Sequence, residues 1–411
     1  MAVFPLRNMS TNSLNTTTNE VTPDGDETDK PPSSYHVALY EIIALYCSIT
    51  FHIIDVILDV NVAVRYFYNG QFIYFTLTIA FIFIPALINT VFSITMYIND
   101  GQTQCISRRA TKVKILCALI LILQLAPILR YCQSLEYAKK CRRAEKEHDL
   151  DNQKKYYELM LKEDSDVSLL RVIECFLEAA PQQILQITIL LVDYGHGYST
   201  IALIHNLGSI ISSFVSMAWS LASYHRSIRF PQKSKLNISW AGTVLQFLWH
   251  ILVTVSRILS ISVLASVNYT YTTYGLIAHW MIMTLWISMS EKWYFCNNKQ
   301  ILDMLVQFIF GLVYIFTFIS LSDGKTKWKY MFYYAICFAE NMFAAFFWFF
   351  TADERLLQTV YYQPLIYLTT IPFLVGIVIM ILYYKWFHPT ARYSSCKKIS
   401  ELRDENIIVR L

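Results

Sequence analysis

Ten apolar stretches fill the chain between about Tyr35 and Phe387, and several carry a charged side chain near their middle. Each is near or above the ~20 residues a helix needs to cross the hydrocarbon core of a bilayer. In lipid every backbone amide must find its partner inside the protein, so such a chain folds as membrane helices. Composition agrees, with 55% hydrophobic and 16% charged residues and a mean hydropathy of +0.38. The expected fold is all-α and polytopic.

The stretches run at 37–66, 72–98, 112–133, 167–192, 199–224, 240–266, 272–295, 301–321, 330–351 and 363–386. Basic residues assign their sides. The loop with Arg108, Arg109, Lys112 and Lys114 reads as cytosolic, and so does the one with Lys139, Lys140, Arg142, Arg143 and Lys146. These loops flank the third stretch, so a simple crossing there would leave one basic cluster outside. Lys292 and Lys299 before the eighth stretch, with Lys325, Lys327 and Lys329 after it, set the same conflict. Both vanish if stretches three and eight enter and leave on the cytosolic side, and Pro127 suits a broken path in the third.

The expectation is therefore eight transmembrane helices and two re-entrant segments, with both termini cytosolic. Each half then reads as two spans, a re-entrant segment and two spans, an order compatible with pseudo-symmetric repeats. The sequon Asn268-Tyr269-Thr270 falls in an outside loop and is a glycosylation candidate. Asn237, Asn8 and Asn15 begin others on the inside. Residues 1–34 form a polar tail without an apolar leader, so the first span is expected to direct insertion. The membrane domain is expected at 35–388, with a basic helical loop at 134–166 near anionic head groups, and a C-terminal tail at 389–411.

Charge inside the membrane is costly, on the order of 3 kcal/mol for an ionised side chain at the centre on insertion scales. Asp55 and Asp59 lie in the first stretch, Glu174 and Glu178 in the fourth, Arg257 in the sixth and Glu340 in the ninth. Each acid pair is spaced to share a helix face, and Gln182 and Gln186 extend the second row past Pro181. Ala179 and Ala180 admit a close neighbour. Buried ion pairs are one reading, with Arg257 neutralising an acid and Arg65 and Arg171 snorkelling to the interfaces. Four core acids against one core Arg leave negative charge in excess. A protonated carboxyl or a zwitterionic ligand would balance it, and a hydrated groove for lipid head groups suits both.

Nine Cys occur without a CxxC pair or metal-ligand spacing. Twenty-eight Tyr and nine Trp suit interfacial belts. Cys105 and Cys396 lie near the inner interface, as free thiols or acylation sites. No Walker loop, HExxH or GxSxG is present, so the residues point to no enzyme, no catalytic residue, no metal and no cofactor. Asp26-Glu27-Thr28-Asp29, in a Pro- and Ser-rich tail expected to be disordered, has the form of an effector-caspase site.

Three segments carry a family resemblance. Asp55-Val-Ile-Leu-Asp59-Val-Asn-Val-Ala-Val-Arg65-Tyr-Phe67, Glu174-Cys-Phe-Leu-Glu178-Ala-Ala-Pro181-Gln182-Gln-Ile-Leu-Gln186 and Tyr383-Tyr384-Lys-Trp-Phe387-His388-Pro389 resemble the XK-related family. That resemblance implies a phospholipid scramblase of the plasma membrane, exposing phosphatidylserine on dying cells without ATP or calcium at the transport step. It implies that Asp55, Asp59, Arg65, Glu174, Glu178, Arg257 and Glu340 line the head-group path. It also implies activation by an effector caspase. Vertebrate caspase-activated members carry that site in the C-terminal tail, which here offers only Glu401-Leu402-Arg403-Asp404, so cleavage after Asp29 is expected instead. Five acids (Glu20, Asp24, Asp26, Glu27 and Asp29) and one base, Arg7, would leave with the tail, which is expected to lean on basic loops and hold a closed state.

Partners implied are phospholipids and an effector caspase, with no nucleic acid. The need for a single-span accessory subunit stays open. Two other functions stay open too: a transporter or channel for a small polar solute, using the same charges, and a non-transporting scaffold that docks a lipid-transfer protein.

Overall fold

The computed structural model describes residues 35–99, 126–192, 200–231, 237–290, 300–319, 327–351 and 361–389, and they are helical almost throughout. The Asp26–Asp29 motif, the C-terminal tail, Asn8 and Asn15, and the third stretch up to residue 125 lie outside them.

Eleven α-helices follow in order: α1 Leu39–Tyr68, α2 Phe72–Asn99, α3 Ala126–Lys146, α4 Leu150–Glu174, α5 Ala180–Val192, α6 Thr200–Ser227, α7 Trp240–Val267, α8 Tyr269–Ser290, α9 Gln300–Val313, α10 Lys327–Thr351 and α11 Tyr362–Leu382. A π-helical turn, Cys175–Ala179, joins α4 to α5, and a second, Tyr383–Phe387, ends α11. Among the described residues, seven helices are long and apolar enough to cross a membrane: α1, α2, the α4–α5 run, α6, α7, α10 and α11. The protein is an all-α, multi-pass membrane protein. α8 has 22 residues, a spanning length, with a first turn rich in Tyr and Thr.

α9 is different. Its 14 residues reach about 21 Å, short of the ~30 Å core. The chain then turns at Tyr314–Phe316 and leaves the helix, and Phe318 comes to rest against Tyr330 in the first turn of α10, ring centroids 4.7 Å apart. The eighth stretch thus runs as a half-length helix followed by a return.

α7 is the axis of the bundle. Two-thirds of its apolar window (67%) is buried inside the protein, against 17% for α1. α11 lies close along it because Gly376 has no side chain: a Cβ there would meet Val253 Cγ2 at 2.9 Å. Gly311 plays the same part between α9 and α8, where a Cβ would meet Thr284 Oγ1 at 2.1 Å. At one end of α7, Trp249 donates its indole N–H to Tyr334 Oη at 3.0 Å and packs on His250, Tyr330, Tyr383 and Tyr384. The closing Tyr383–Phe387 turn is therefore an anchor on α7, with His388 beside Arg229 at 3.4 Å.

Positions 134 and 166, the bounds of the expected basic helical loop, both fall inside helices. α3 runs unbroken from Ala126 to Lys146, and α4 starts at Leu150, so the basic loop is a helical hairpin continuous with the membrane part. Its tip closes through His148 at φ 55, with Asp149 N donating back to Ala144 O at 2.9 Å, a tight end that satisfies last-turn carbonyls. Asp149 then caps α4 by accepting from Asn152 N, and those bonds hold its carboxyl below the usual range. Composition marks where a helix leaves lipid; capping residues mark where it ends.

The hairpin also has its own small core: Leu135, Ala138, Cys141, Tyr157 and Met160 close on Val37 and Ile42 from the start of α1. Burial pushes the Cys141 thiol up to about 11, with Glu145 and Glu41 adding to the shift. Between Glu136 and Glu158 the hairpin holds seven Lys or Arg and six Asp or Glu, so its charge nearly cancels.

Candidate functional site

The two acid pairs of the sequence face each other. α1 contributes His52, Asp55 and Asp59; α4 and the π turn contribute Arg171, Glu174 and Glu178, and α5 adds Gln182. His52 Nδ1 lies 3.2 Å from Glu174 Oε1, and Arg171 Nη1 lies 3.7 Å from the same oxygen. Asp55 faces Glu174, Arg171 and His52, while Asp59 faces Glu178 and Gln182. Arg171 is turned onto Glu174, with its side chain 24% exposed.

The π turn explains how the row stays straight. An α-helix turns 100° per residue, so side chains four apart drift by about 40° each time. The wider π turn takes less rotation per residue and offsets that drift between Glu174 and Glu178. Pro181 gives the turn its place. Proline cannot donate to the carbonyl four residues back and clashes with it, and here that carbonyl belongs to Leu177, inside the π turn.

Burial grades across the row. Glu174 is buried, Glu178 and Asp59 are half-buried, and Asp55 is exposed beside Ile54 and Leu58 of α1. The row is thus most open at Asp55, next to exposed apolar side chains. Gln186 is half-buried one turn beyond Gln182, and Gln183, which the sequence reading passed over, is buried beside it. Arg65 stands exposed in the last turn of α1, six residues past Asp59, where a cation complements the helix end.

Arg257 and Glu340 form a separate centre. Arg257 Nη2 donates to Glu340 Oε2, Nη1 donates to Asn341 Oδ1 at 3.2 Å, and Nε donates to the carbonyl of Ile315 at 2.8 Å. His279 bridges Glu340 Oε1 at 2.8 Å and the carbonyl of Tyr314 at 3.1 Å. Those two carbonyls are left over where α9 stops inside the protein, and a helix end buried there needs donors. Arg257 and His279 supply them. Arg257 is thus committed to a broken helix and to Glu340, and the four acids of the row are met by Arg171 and His52 instead. The two centres adjoin through rings, Phe176 of the π turn resting 6.2 Å from Phe316.

Beside this second centre opens a cavity of about 320 Å³ between α7, α8 and α10. Glu340 and His279 supply its polar floor, and Leu264, Leu276, Phe343 and Phe347 line apolar walls. Asn268 sits on its rim, the single residue between α7 and α8, with its side-chain oxygen accepting from Tyr271 N at 3.1 Å. The glycosylation candidate thus also caps α8.

A third charged centre escaped the sequence reading. Arg130 of α3 is wholly buried and donates to Glu163 Oε2 at 2.8 Å, Asp166 Oδ2 at 3.0 Å and the carbonyl of Ser93 at 3.1 Å, with its guanidinium 3.8 Å over the Tyr97 ring. Ser134 donates to Asp164 at 2.5 Å and Tyr97 to Gln133 at 2.6 Å in the same layer. This network joins α2, α3 and α4 just inside the hairpin. The available signal was an Arg in the last turns of an apolar stretch and two acids three residues apart in α4. Among the described residues no cluster of three His, Cys, Asp or Glu is placed to hold a metal.

A family model described as XK-related protein matches residues 43–389. The Cell death abnormality protein 8 of Caenorhabditis elegans is 26% identical over 385 residues, covering 89% of this chain and 82% of that protein. The protein of the same name from Caenorhabditis briggsae is 24% identical with the same coverage.

Proposed function

This chain belongs to the XK-related family, and from that premise we propose that it is a phospholipid scramblase that exposes phosphatidylserine during cell death. The observation that carries the reading is the row His52, Asp55, Asp59, Glu174, Glu178 and Gln182, graded from buried to exposed and most open at Asp55. A head group entering there meets carboxylates, a cation and amides in turn, while its tails stay outside. Replacing hydration piecewise lowers the barrier that a bare charge would meet in hydrocarbon. Nothing in such a path drives lipid uphill, so transport equalises the leaflets in both directions without ATP. The apolar walls of the cavity beside Glu340 favour an amphiphile over a small polar solute.

The name of the two worm relatives supports a role in cell death. On this reading an effector caspase cuts after Asp29, five residues before the described fold begins at Tyr35, in a plasma-membrane protein with both termini cytosolic. On the same reading the acidic tail leans on the basic cytosolic loops and holds a closed state until it is cut.

The test is a fluorescent-lipid scrambling assay on purified protein in liposomes, before and after effector-caspase treatment, with Asp29→Ala as control. Scrambling only after cleavage, and not in the control, is the expected result. Scrambling in every sample would keep the scramblase and remove the N-terminal switch. No lipid movement in any sample, with and without an added single-span subunit, would overturn the reading in favour of a solute transporter or a scaffold.

A further inference from the structure

α1 is attached to the rest of the protein in an unusual way. The main apolar core contains residues from the other spans but none from α1 among the described residues. Apolar burial holds α1 at its ends. At its start, Val37 and Ile42 enter the hairpin's small core; Gln153 Nε2 donates to Tyr35 O at 3.0 Å and Lys139 Nζ to Tyr46 Oη at 2.7 Å. At its far end Phe67 packs edge-on against Phe72 and Phe75 of α2, across a turn where Gly70 takes φ 71. Between these ends α1 runs beside α2, and toward α4 and α5 it presents His52, Asp55 and Asp59.

In a bilayer, lipid tails compete for apolar helix contacts, and head groups and water compete for polar ones by offering the same bonds. The side of α1 that faces α4 and α5 is held by interactions that the transported head group itself can replace. We propose that α1 is the moving wall of the polar row, pivoting on its Tyr35–Tyr46 foot and its Gly70 turn, with His52 as the latch that holds it on Glu174. This gate rests on the scramblase reading.

His52 stands with Arg171 against four carboxyls. Without it, Glu174 loses the α1 side chain that lies 3.2 Å from its carboxyl and keeps Arg171 alone, which favours the swung-out position. The experiment measures spin-label distances in full-length protein in lipid nanodiscs. One label goes on the exposed Ile57 of α1 and one on the exposed Ile211 of α6; Ile211 with Phe346 of α10 is the reference pair. His52→Ala, and His52→Gln as a gentler replacement, are compared with the parent.

The expected result is a new, longer α1–α6 population in the variants that the parent lacks, with the reference pair unchanged. An α1–α6 distance identical in parent, both variants and caspase-treated protein would overturn the gate. The readout is distance, so it decides the gate even where a parallel lipid assay is silent; lipid movement with a static α1 would keep the scramblase and sink only the gate.

Discussion

Arg257 donates its Nε–H to the carbonyl of Ile315 at 2.8 Å while its Nη2 holds Glu340. One side chain thus ends the half-length helix α9 and neutralises a membrane carboxylate. Losing it strips two partners at once. Arg257→Met is expected to lower stability by about 3–5 kcal/mol, the range for breaking a buried pair. Glu340→Gln should cost less, because its side chain is 37% exposed and the amide still accepts from the guanidinium. Thermal unfolding in detergent checks the order, and equal losses would contradict the capping role.

Glu174 and Glu178 together form the inner wall of the row. Glu174→Ala with Glu178→Ala should slow scrambling at least about tenfold, equivalent to ~1.4 kcal/mol of barrier, with surface level and monodispersity retained. Unchanged scrambling in well-folded protein would place the head-group path elsewhere. Loss of the protein would return both residues to the ion-pair role.

Arg130 makes a separable prediction, since its partners lie in the hairpin layer. Arg130→Met leaves Glu163 and Asp166 buried without their cation and should cost about 3–5 kcal/mol. Adding Glu163→Gln and Asp166→Asn should recover most of that loss, because the uncompensated charges go with it. Failure of the triple variant to recover stability would mean that geometry, not charge, makes the network matter.

Cys141 gives a pH-dependent readout of the α1 foot. Its thiol is buried against Val37 and Tyr157 and held up to about 11, whereas Cys47 and Cys132 are exposed. The thiolate is the reactive form, so Cys141 alkylation should be slow at pH 8 and keep rising toward pH 11, whereas ordinary thiols, with pKa about 8.5, level off roughly a unit above that value. Val37→Asp should open the site and bring Cys141 labelling at pH 8 close to that of Cys47, read by mass spectrometry.

Much of this was legible in the residues because lipid is an unforgiving solvent. Asp55, Asp59, Glu174 and Glu178 announce themselves by being charged where little else is, and their spacing assigns a face. The return after α9 was legible from Lys299 and Lys325 on either side of an apolar stretch. What was hidden is pairing. Arg257 looked like the cation for the acid row, yet its partner is a backbone carbonyl that exists only because α9 stops short. His52 and His279 carry no fixed charge in a sequence, and each proves to be a bridge. The hairpin's apolar positions, such as Ala138 and Tyr157, are too sparse to read as a core until Val37 arrives from another helix.

The α4–α5 run is one helix of 43 residues from Leu150 to Val192, with a single wide turn at the acid row. At 1.5 Å per residue it measures about 65 Å, some twice the hydrocarbon core. A rod that long places in water a handle whose tilt and rotation are those of Glu174 and Glu178. A binder seated on the exposed hairpin could therefore set or report the orientation of groups it never touches, and a fluorophore at Lys154 would make the membrane interior observable from the aqueous side.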